Sequence, residues 1–482
     1  MLRQLLLLIL CFILLPVSPI STAKATASEV KGALCIVRAD DKLVLVHEVL
    51  TDKISLPGGT IIDGESPQVA AQRETWEETG IVVTVGEELG RTDTAVFYDC
   101  ISDSDIIAFS MNNSLGGNEL PIWFAPHYGV EVASAMLLSP SELPSSLYRY
   151  PEQWPQATQF FDQATKQSVS YVTQLIESAP SFRQVELAWL IDLQSWVGGA
   201  LSETSYEVAS QISKLVIDLT EPTVLLFLFP LAMMRFGSRF VYRLFFAISA
   251  TSLMVLVAQQ GFSLPRPHVY IPMMELTHSF GFSFPSLPIA VWFCVLTFLF
   301  HRTQYFGLNG TTAVFVFITL TVVLGKFFLG SAFILDMLFG ALLGSLVAWH
   351  VLRLETNQDV NVDKVLSSKG VWFIMTAATS VISVIWPLPV FGRWLAILIT
   401  ASALVMTFKE SKAHLDTRQM IFVTLALLLV DQLYLYSANI VSFSGLWSLV
   451  LSTLHYPLLM LLFMLLARKL TCENQPSKTL LD

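Results

Sequence analysis

The chain has 482 residues, of which 54% are hydrophobic and only 14% charged, with a mean hydropathy of +0.61. Soluble domains carry about 25% charged residues, so these values exclude a wholly soluble protein and imply an integral membrane protein with a soluble part attached. The formal net charge of −10 argues against a nucleic-acid-binding surface, and no nucleic-acid partner is expected.

Residues 1–27 read as an export signal or an N-terminal anchor. Arg3 is the short basic start, an apolar run follows and Pro16 breaks it. Ala23-Lys24-Ala25 or Ala25-Thr26-Ala27 offers a cleavage site. Residues 28–155 have soluble composition. "VKGALCIVRADDKLVLVHEV" reads as two strands around the turn Ala39-Asp40-Asp41, and further strands follow at "GIVVTVGEEL", "TAVFYDCI" and "DIIAFSM". One helix, near 67–79, lies among them, which is the signature of an α/β sandwich. The five cysteines include no CxxC pair, which argues against a zinc site. Cys35 and Cys100 read as two buried thiols in a sheet, with a disulfide as the alternative if the region is exported.

Residues 156–215 are polar and amphipathic and read as a linker or membrane-surface segment. Apolar runs then recur near 222–236, 241–258, 285–301, 311–325, 333–352, 371–387, 390–407, 419–436 and 446–466. Arg235, Arg239 and Arg243 follow the first run, and Arg302 the third. Arg353, Lys364 and Lys369 follow the fifth, Lys409, Lys412 and Arg418 the seventh, and Arg468, Lys469 and Lys478 the last. The alternate connections hold few basic residues, Arg266, Lys326 and Arg393 being the exceptions. The excess of positive charge on the cytoplasmic side then puts the C-terminus inside and residues 28–155 outside. The stretch 185–201 would reverse this if it spanned, but it carries Glu186 and Asp192. Asp431 is the one acid well inside a span; it reads as a buried helix contact, with a functional role as the alternative.

In the soluble helix Ser66 suits the cap, Pro67 the first position and Gly80 the stop. Glu74, Glu77 and Glu78 fall within about 100° of one face. Ala70 and Ala71 share that face and leave it open, while Val69 and Trp76 are expected to point to a core. Carboxylates so placed need a cation, and hard oxygen ligands suit Mg²⁺ or Mn²⁺. The stretch resembles the Nudix box: Gly59, Glu65 and Arg73-Glu74-Thr75-Trp76-Glu77-Glu78-Thr79-Gly80-Ile81 match its spacing, with Thr75 where an aliphatic is usual. The resemblance implies that Glu74, Glu77 and Glu78 are metal ligands, that Arg73 orients them and that Glu65 supports the loop and helix. It implies that Gly58 and Gly59 let the loop approach the phosphates, with Gly80 closing the box. The reaction implied is hydrolysis of a diphosphate linked to another group; the general base is unassigned.

Three stretches of the apolar half resemble the type 2 phosphatidic acid phosphatase (PAP2) family. "QQGFSLPRP" keeps Arg266 and Pro267 but has Gln259 for Lys. "FPSLPI" keeps Pro285 and Ser286 but has Leu287 for Gly and Pro288 for His. "GKFFLGSAFILD" keeps Asp336, with Gly325 for Ser, Lys326 for Arg and Ala332 for the nucleophilic His. His268 and His278 are nearby but match no motif position. Neither alanine nor proline can attack phosphorus or carry a proton. The resemblance implies an all-α polytopic bundle with a PAP2-like core (216–352) and additional C-terminal spans (353–482), without phosphatase activity. Arg266, Ser286, Lys326 and Asp336 read as a phosphate-binding remnant, with ordinary interfacial snorkelling the alternative for the first three.

The combined expectation is a multi-pass protein of the bacterial inner membrane, an α/β domain on its outer side. It is expected to be a Mg²⁺- or Mn²⁺-dependent pyrophosphohydrolase acting on a small-molecule or lipid diphosphate. The alternatives are a phosphatase of undecaprenyl or a similar lipid diphosphate, or a lipid-phosphate-binding scaffold.

Overall fold

The computed structural model describes residues 30–276, 279–303, 310–356, 365, 368–407 and 413–473. The expected signal segment, His278, Lys364, Lys409, Lys412 and Lys478 lie outside the described residues.

The α/β unit opens with β1 (Gly32–Ile36), β2 (Arg38–Ala39) and β3 (Lys42–Glu48). Asp40 makes the expected turn in left-handed backbone at φ 51°, which a short polar side chain tolerates. After β4 (Ile54–Ser55), which pairs with β3, comes β5 (Gly58–Thr60), and the helix α1 (Pro67–Thr79) follows it. β6 (Val83–Arg91) and β7 (Ala95–Ser102) form a hairpin; β7 runs parallel to β1, giving a sheet in the order β5-β1-β7-β6. A second hairpin-built sheet joins β3 to β10 (Val132–Leu138) and β10 to β9 (Asn118–Leu120). A parallel pair beside it begins at β8 (Ile106–Phe109).

Parallel pairing of β1 with β7 brings Cys35 opposite Tyr98, and the structure joins Cys35 to Cys100 as a disulfide with Cα atoms 5.5 Å apart. The reading of two free buried thiols is thereby replaced by its alternative.

The expected linker also begins later than its composition suggests. Helix α2 (Trp154–Gln163) buries Trp154, Ala157 and Phe161 against Leu45 and Tyr148 of the sheet core. β11 (Lys166–Gln167) then pairs with β2, and β12 (Val169–Val172) with β8. These edge strands bury none of their side chains fully, so their polar sequence looks like linker.

Two helices follow, α3 (Ser181–Ala200) and α4 (Glu203–Asp218). The apolar half consists of α5 (Leu225–Phe236), α6 (Ser238–Phe262), α7 (Leu287–Thr303), α8 (Gly310–Phe328), α9 (Ile334–Thr356), α10 (Lys369–Ile385), α11 (Pro389–Thr407), α12 (Thr417–Ile440) and α13 (Gly445–Glu473). Among the described residues, five of these (α6, α9, α11, α12 and α13) are long and apolar enough to cross a membrane. The other four are shorter apolar helices at the remaining expected runs. α3 is not among them; its Glu186 and Arg183 are buried against α9.

The two ends of α6 are distinct. At the Ser238 end, Ser238 N donates to Ala413 O, so two of the Arg-bearing connections meet there. At the Phe262 end, the loop before α7 touches the α/β unit: Trp123 packs on Tyr270 with ring centres 5.3 Å apart, and Tyr128 on Phe282 at 5.9 Å. Lys53 also lies over the Phe443 ring, between α12 and α13. The α/β unit therefore sits on the end of the bundle away from that meeting point.

Candidate active site

The residues around α1 dictate its limits. Ser66 Oγ accepts from Val69 N at 3.4 Å, Pro67 starts the helix, and Gly80 at φ 71° stops it with its N–H on Trp76 O. Such a cap stabilises by about 1 kcal/mol. The face that packs is the opposite of the one expected. Ala70 and Ala71 are fully buried, whereas Val69 is 52% and Trp76 45% exposed. Two alanines let the helix lie close on β1, near enough for Cys35 Sγ to contact Ala71 O at 3.7 Å. Thr75 fits this packing with its hydroxyl bonded to Ala71 O at 2.7 Å. The departure from an aliphatic residue leaves no buried hydroxyl unpaired there.

Close approach also places the carboxylates. Glu74 and Glu78 are buried at 9% and 7% exposure, and they leave the helix between it and the glycine-bearing strand β5. Gly58 N donates to Glu78 Oε2 at 3.0 Å. A side chain at Gly58 would strike the backbone of Ala33, and one at Gly59 would overlap the Glu74 carboxyl. Arg73 ties the group together. Its Nε donates to Glu65 Oε1 at 2.9 Å, and its Nη1 lies 2.9 Å from Glu74 Oε1 and 2.8 Å from Glu77 Oε2. Its Nη2 reaches Thr60 O at 3.3 Å. Glu65 in turn accepts from Ile62 N, bracing the loop that precedes the helix.

Glu74 and Glu77 converge with His127: one ligand atom from each lies within 4.8 Å of the others. Sequence reasoning missed His127, which stands on the loop between β9 and β10. Its backbone N–H donates to Glu77 O at 2.8 Å, which brings the ring to the helix. Its Nδ1 lies 3.0 Å from Glu131 Oε2, and its Nε2 4.0 Å from Glu77 Oε2. Glu78 is not part of this cluster; it braces Gly58 instead.

The electrostatics follow from burial and pairing. Desolvation raises Glu74, against the pull of Arg73. Burial pushes Glu78 well above the usual carboxylate range, opposed by the Gly58 hydrogen bond. The Arg73 guanidinium lowers Glu65. Glu131 raises His127, and His127 lowers Glu131. A mixed carboxylate–imidazole pocket with buried acids fits a divalent cation, because such acids gain most from a charge that replaces lost water.

Residues 29–160 match the NUDIX domain family. The α/β unit is a NUDIX domain. Its helix, α1, is the segment that carries the box. A MutT-like protein from Streptomyces ambofaciens is 40% identical over 55 residues, which is 11% of this chain and 36% of that protein. The chain thus spans about a third of the length of this curated relative. Among solved structures, the MutT protein from Methanosarcina mazei Go1 aligns at 17% identity and a TM-score of 0.18, covering 27% of this chain and 97% of that one. LpxE from Aquifex aeolicus aligns at 21% identity and a TM-score of 0.29, covering 34% and 94%. A UDP-X diphosphatase aligns at 21% and 0.21, covering 35% and 83%.

The motif positions of the helical half lie near one another but are differently engaged. Asp336 is fully buried; Arg183 of α3 meets its Oδ1 at 2.5 Å, and Ser283 Oγ and Phe333 N donate to its Oδ2. Ser286 N donates to Asp336 O at 2.9 Å. Arg183 also pairs with Glu186 at 3.1 Å and lies 4.1 Å from the Phe333 ring centre. Ala332 is buried in an apolar cluster with Leu190 of α3, Ile289, Phe327 and Met337. Gln259 donates to Pro285 O, and Arg266 to Ser331 O and Phe280 O. Lys326 is 4% exposed inside α8. His268 is buried, with Nδ1 3.5 Å from Ser279 Oγ. Asp431 meets His455 Nε2 at 2.9 Å, a contact between α12 and α13 of the kind expected for a buried helix pair.

Proposed function

We propose that the protein is a membrane-tethered pyrophosphohydrolase that cleaves a diphosphate linked to another group, with its NUDIX domain on the outer face of the membrane. The observation that carries this reading is the convergence of Glu74, Glu77 and His127 around one point on a helix locked by Arg73. Those three residues hold Mg²⁺ or Mn²⁺ in this proposal, with His127 in the place first assigned to Glu78. A bound divalent ion neutralises pyrophosphate oxygens and lowers the pKa of its water.

The protein's own residues do the rest. Gly58 and Gly59 keep the loop free of side chains where the phosphates must approach. Glu78 fixes that loop through Gly58 N. Arg73 keeps Glu74 and Glu77 in one place, and Glu131 turns the His127 ring so that Nε2 faces Glu77. The outer placement is supported by the loop charges and by the Cys35–Cys100 disulfide, a bond typical of oxidising compartments.

The helical half performs no phosphatase chemistry in this reading. The position for a nucleophilic histidine is an alanine enclosed in apolar side chains, and the aspartate that would hold that histidine holds Arg183. Arg266, Ser286 and Lys326 are assigned a phosphate-binding role, which Lys326 favours because the residue is buried and its ammonium makes no hydrogen bond or ion pair among the described residues.

The test is diphosphate cleavage by purified full-length protein with and without chelator. The expected result is cleavage that EDTA stops and that added Mg²⁺ or Mn²⁺ restores. Cleavage indifferent to EDTA would remove the metal site from the proposal.

A further inference from the structure

A partly open cavity of about 320 Å³ lies where α5, α6 and α7 face α11, α12 and α13. Its wall is mostly apolar, with Phe229, Val291 and Ile397 among the contributors. Pro288, at the position where the phosphatase motif has a histidine, is also part of the wall. Two charged residues line the cavity. Glu221 is exposed, in the connection before α5. Arg393 is half-buried, on the second turn of α11.

Arg393 is unlike the other partly or fully buried arginines. Arg183 has Glu186 and Asp336, Arg149 has Glu48, and Arg266 has two carbonyls. Arg393 Nε is buried without a partner, and its guanidinium makes no hydrogen bond or ion pair among the described residues. An uncompensated guanidinium between apolar helices is expensive, and inside a membrane such a charge marks a ligand or a pathway. The charge calls for an anion, and the wall around it calls for a hydrocarbon chain.

A second cavity of about 320 Å³ shares Phe229, Phe245, Met460 and Phe463 with the first. It reaches Ser238 and Tyr242, at the opposite end of α6. The two together make an apolar path along the bundle that starts beside Arg393.

We propose that this seam holds one anionic phospholipid of the surrounding bilayer, its phosphate on Arg393 and an acyl chain running toward Phe463. The lipid fills the space between α5–α7 and α11–α13 and supplies the charge that Arg393 lacks. Arg393 belongs to none of the phosphatase motif positions; Leu287 and Pro288 of those motifs border the cavity, but Arg266, Ser286, Lys326 and Asp336 do not.

The experiment is native mass spectrometry of the full-length protein, freed of lipid in detergent and titrated with phosphatidylglycerol or with phosphatidylcholine. Wild type is expected to retain one phosphatidylglycerol per chain at collision energies that strip phosphatidylcholine. Arg393→Gln is expected to lose that preference, with phosphatidylglycerol affinity falling about tenfold. Ile397→Trp, which fills the cavity, is expected to lose the tightly held lipid altogether. Equal retention of the two lipids by wild type overturns the proposal, whether or not the variants fold. So does a folded Arg393→Gln protein that holds phosphatidylglycerol as wild type does.

Discussion

A methyl group at Gly59 has nowhere to go but into the Glu74 carboxyl. That carboxyl is the movable end of a side chain, so Gly59→Ala should displace a proposed ligand without unfolding the domain. A shift of that size costs about 100-fold in rate. The expected outcome is a folded protein, by circular dichroism, with hydrolysis reduced to that extent; unimpaired hydrolysis would mean that Glu74 is not held where the reaction needs it. Glu131→Gln tests the other side of the site. Loss of an orienting partner of a metal-bound histidine costs about 10–100-fold in metal affinity. Mn²⁺ titration calorimetry should show that loss, and an unchanged affinity would take His127 out of the ligand set. The box residues were legible in the sequence because Gly59, Glu65, Arg73, Glu74 and Glu77 sit at fixed spacings in one segment. His127 was not. It reaches Glu77 across a loop whose course depends on β9 and β10, and no local spacing encodes that contact.

At the scale of elements, the helical period told which residues of α1 share a face but not which face packs. Val69 and Trp76 suggested a core side by hydrophobicity, yet the sheet took the alanine side because only small residues permit so short a separation. The wide apolar side chains were left at the surface. Helix α3 gives a second case. Its sequence reads as a surface segment, and its one arginine instead enters the space beside Asp336. Removing Arg183 leaves Asp336 and Glu186 as buried acids without their cation, which costs about 3–5 kcal/mol. Arg183→Ala should therefore loosen α3 from α9 and expose it to limited proteolysis. Arg183→Met combined with Asp336→Asn and Glu186→Gln should restore much of the protection, since a neutral set leaves no unpaired charge. Protection unchanged in Arg183→Ala would show that apolar contacts such as Leu190 hold α3 by themselves.

At the scale of the whole molecule, the joint between the NUDIX domain and the bundle is aromatic, but it also encloses Glu275. This carboxyl accepts from Ser279 N and faces Glu119 of the domain and Arg266 of the same loop. Burial raises it from 4.5 to about 7. The folded state thus binds its proton more tightly than the unfolded state. The contribution is fully present below pH 4.5 and is lost as the pH rises through about 7. Thermal unfolding of the detergent-solubilised protein should show stability falling across that window, and Glu275→Gln should flatten the slope. An identical slope in the variant would assign it to other groups. The nine apolar segments were legible from composition because hydrophobic runs need no partner to be recognised. The joint was not, since Tyr128 and Phe282 meet only once both halves have folded.

In the proposed function the site around Glu74 and Glu77 does the chemistry and the helical half does none. The most direct measurement is Mg²⁺-dependent cleavage of nucleoside diphosphate derivatives and of undecaprenyl diphosphate by full-length wild type and Glu77→Gln. Glu77→Gln is expected to abolish cleavage of every substrate that wild type accepts. Dephosphorylation of the lipid that survives Glu77→Gln and needs no metal would contradict it and return the chemistry to the bundle.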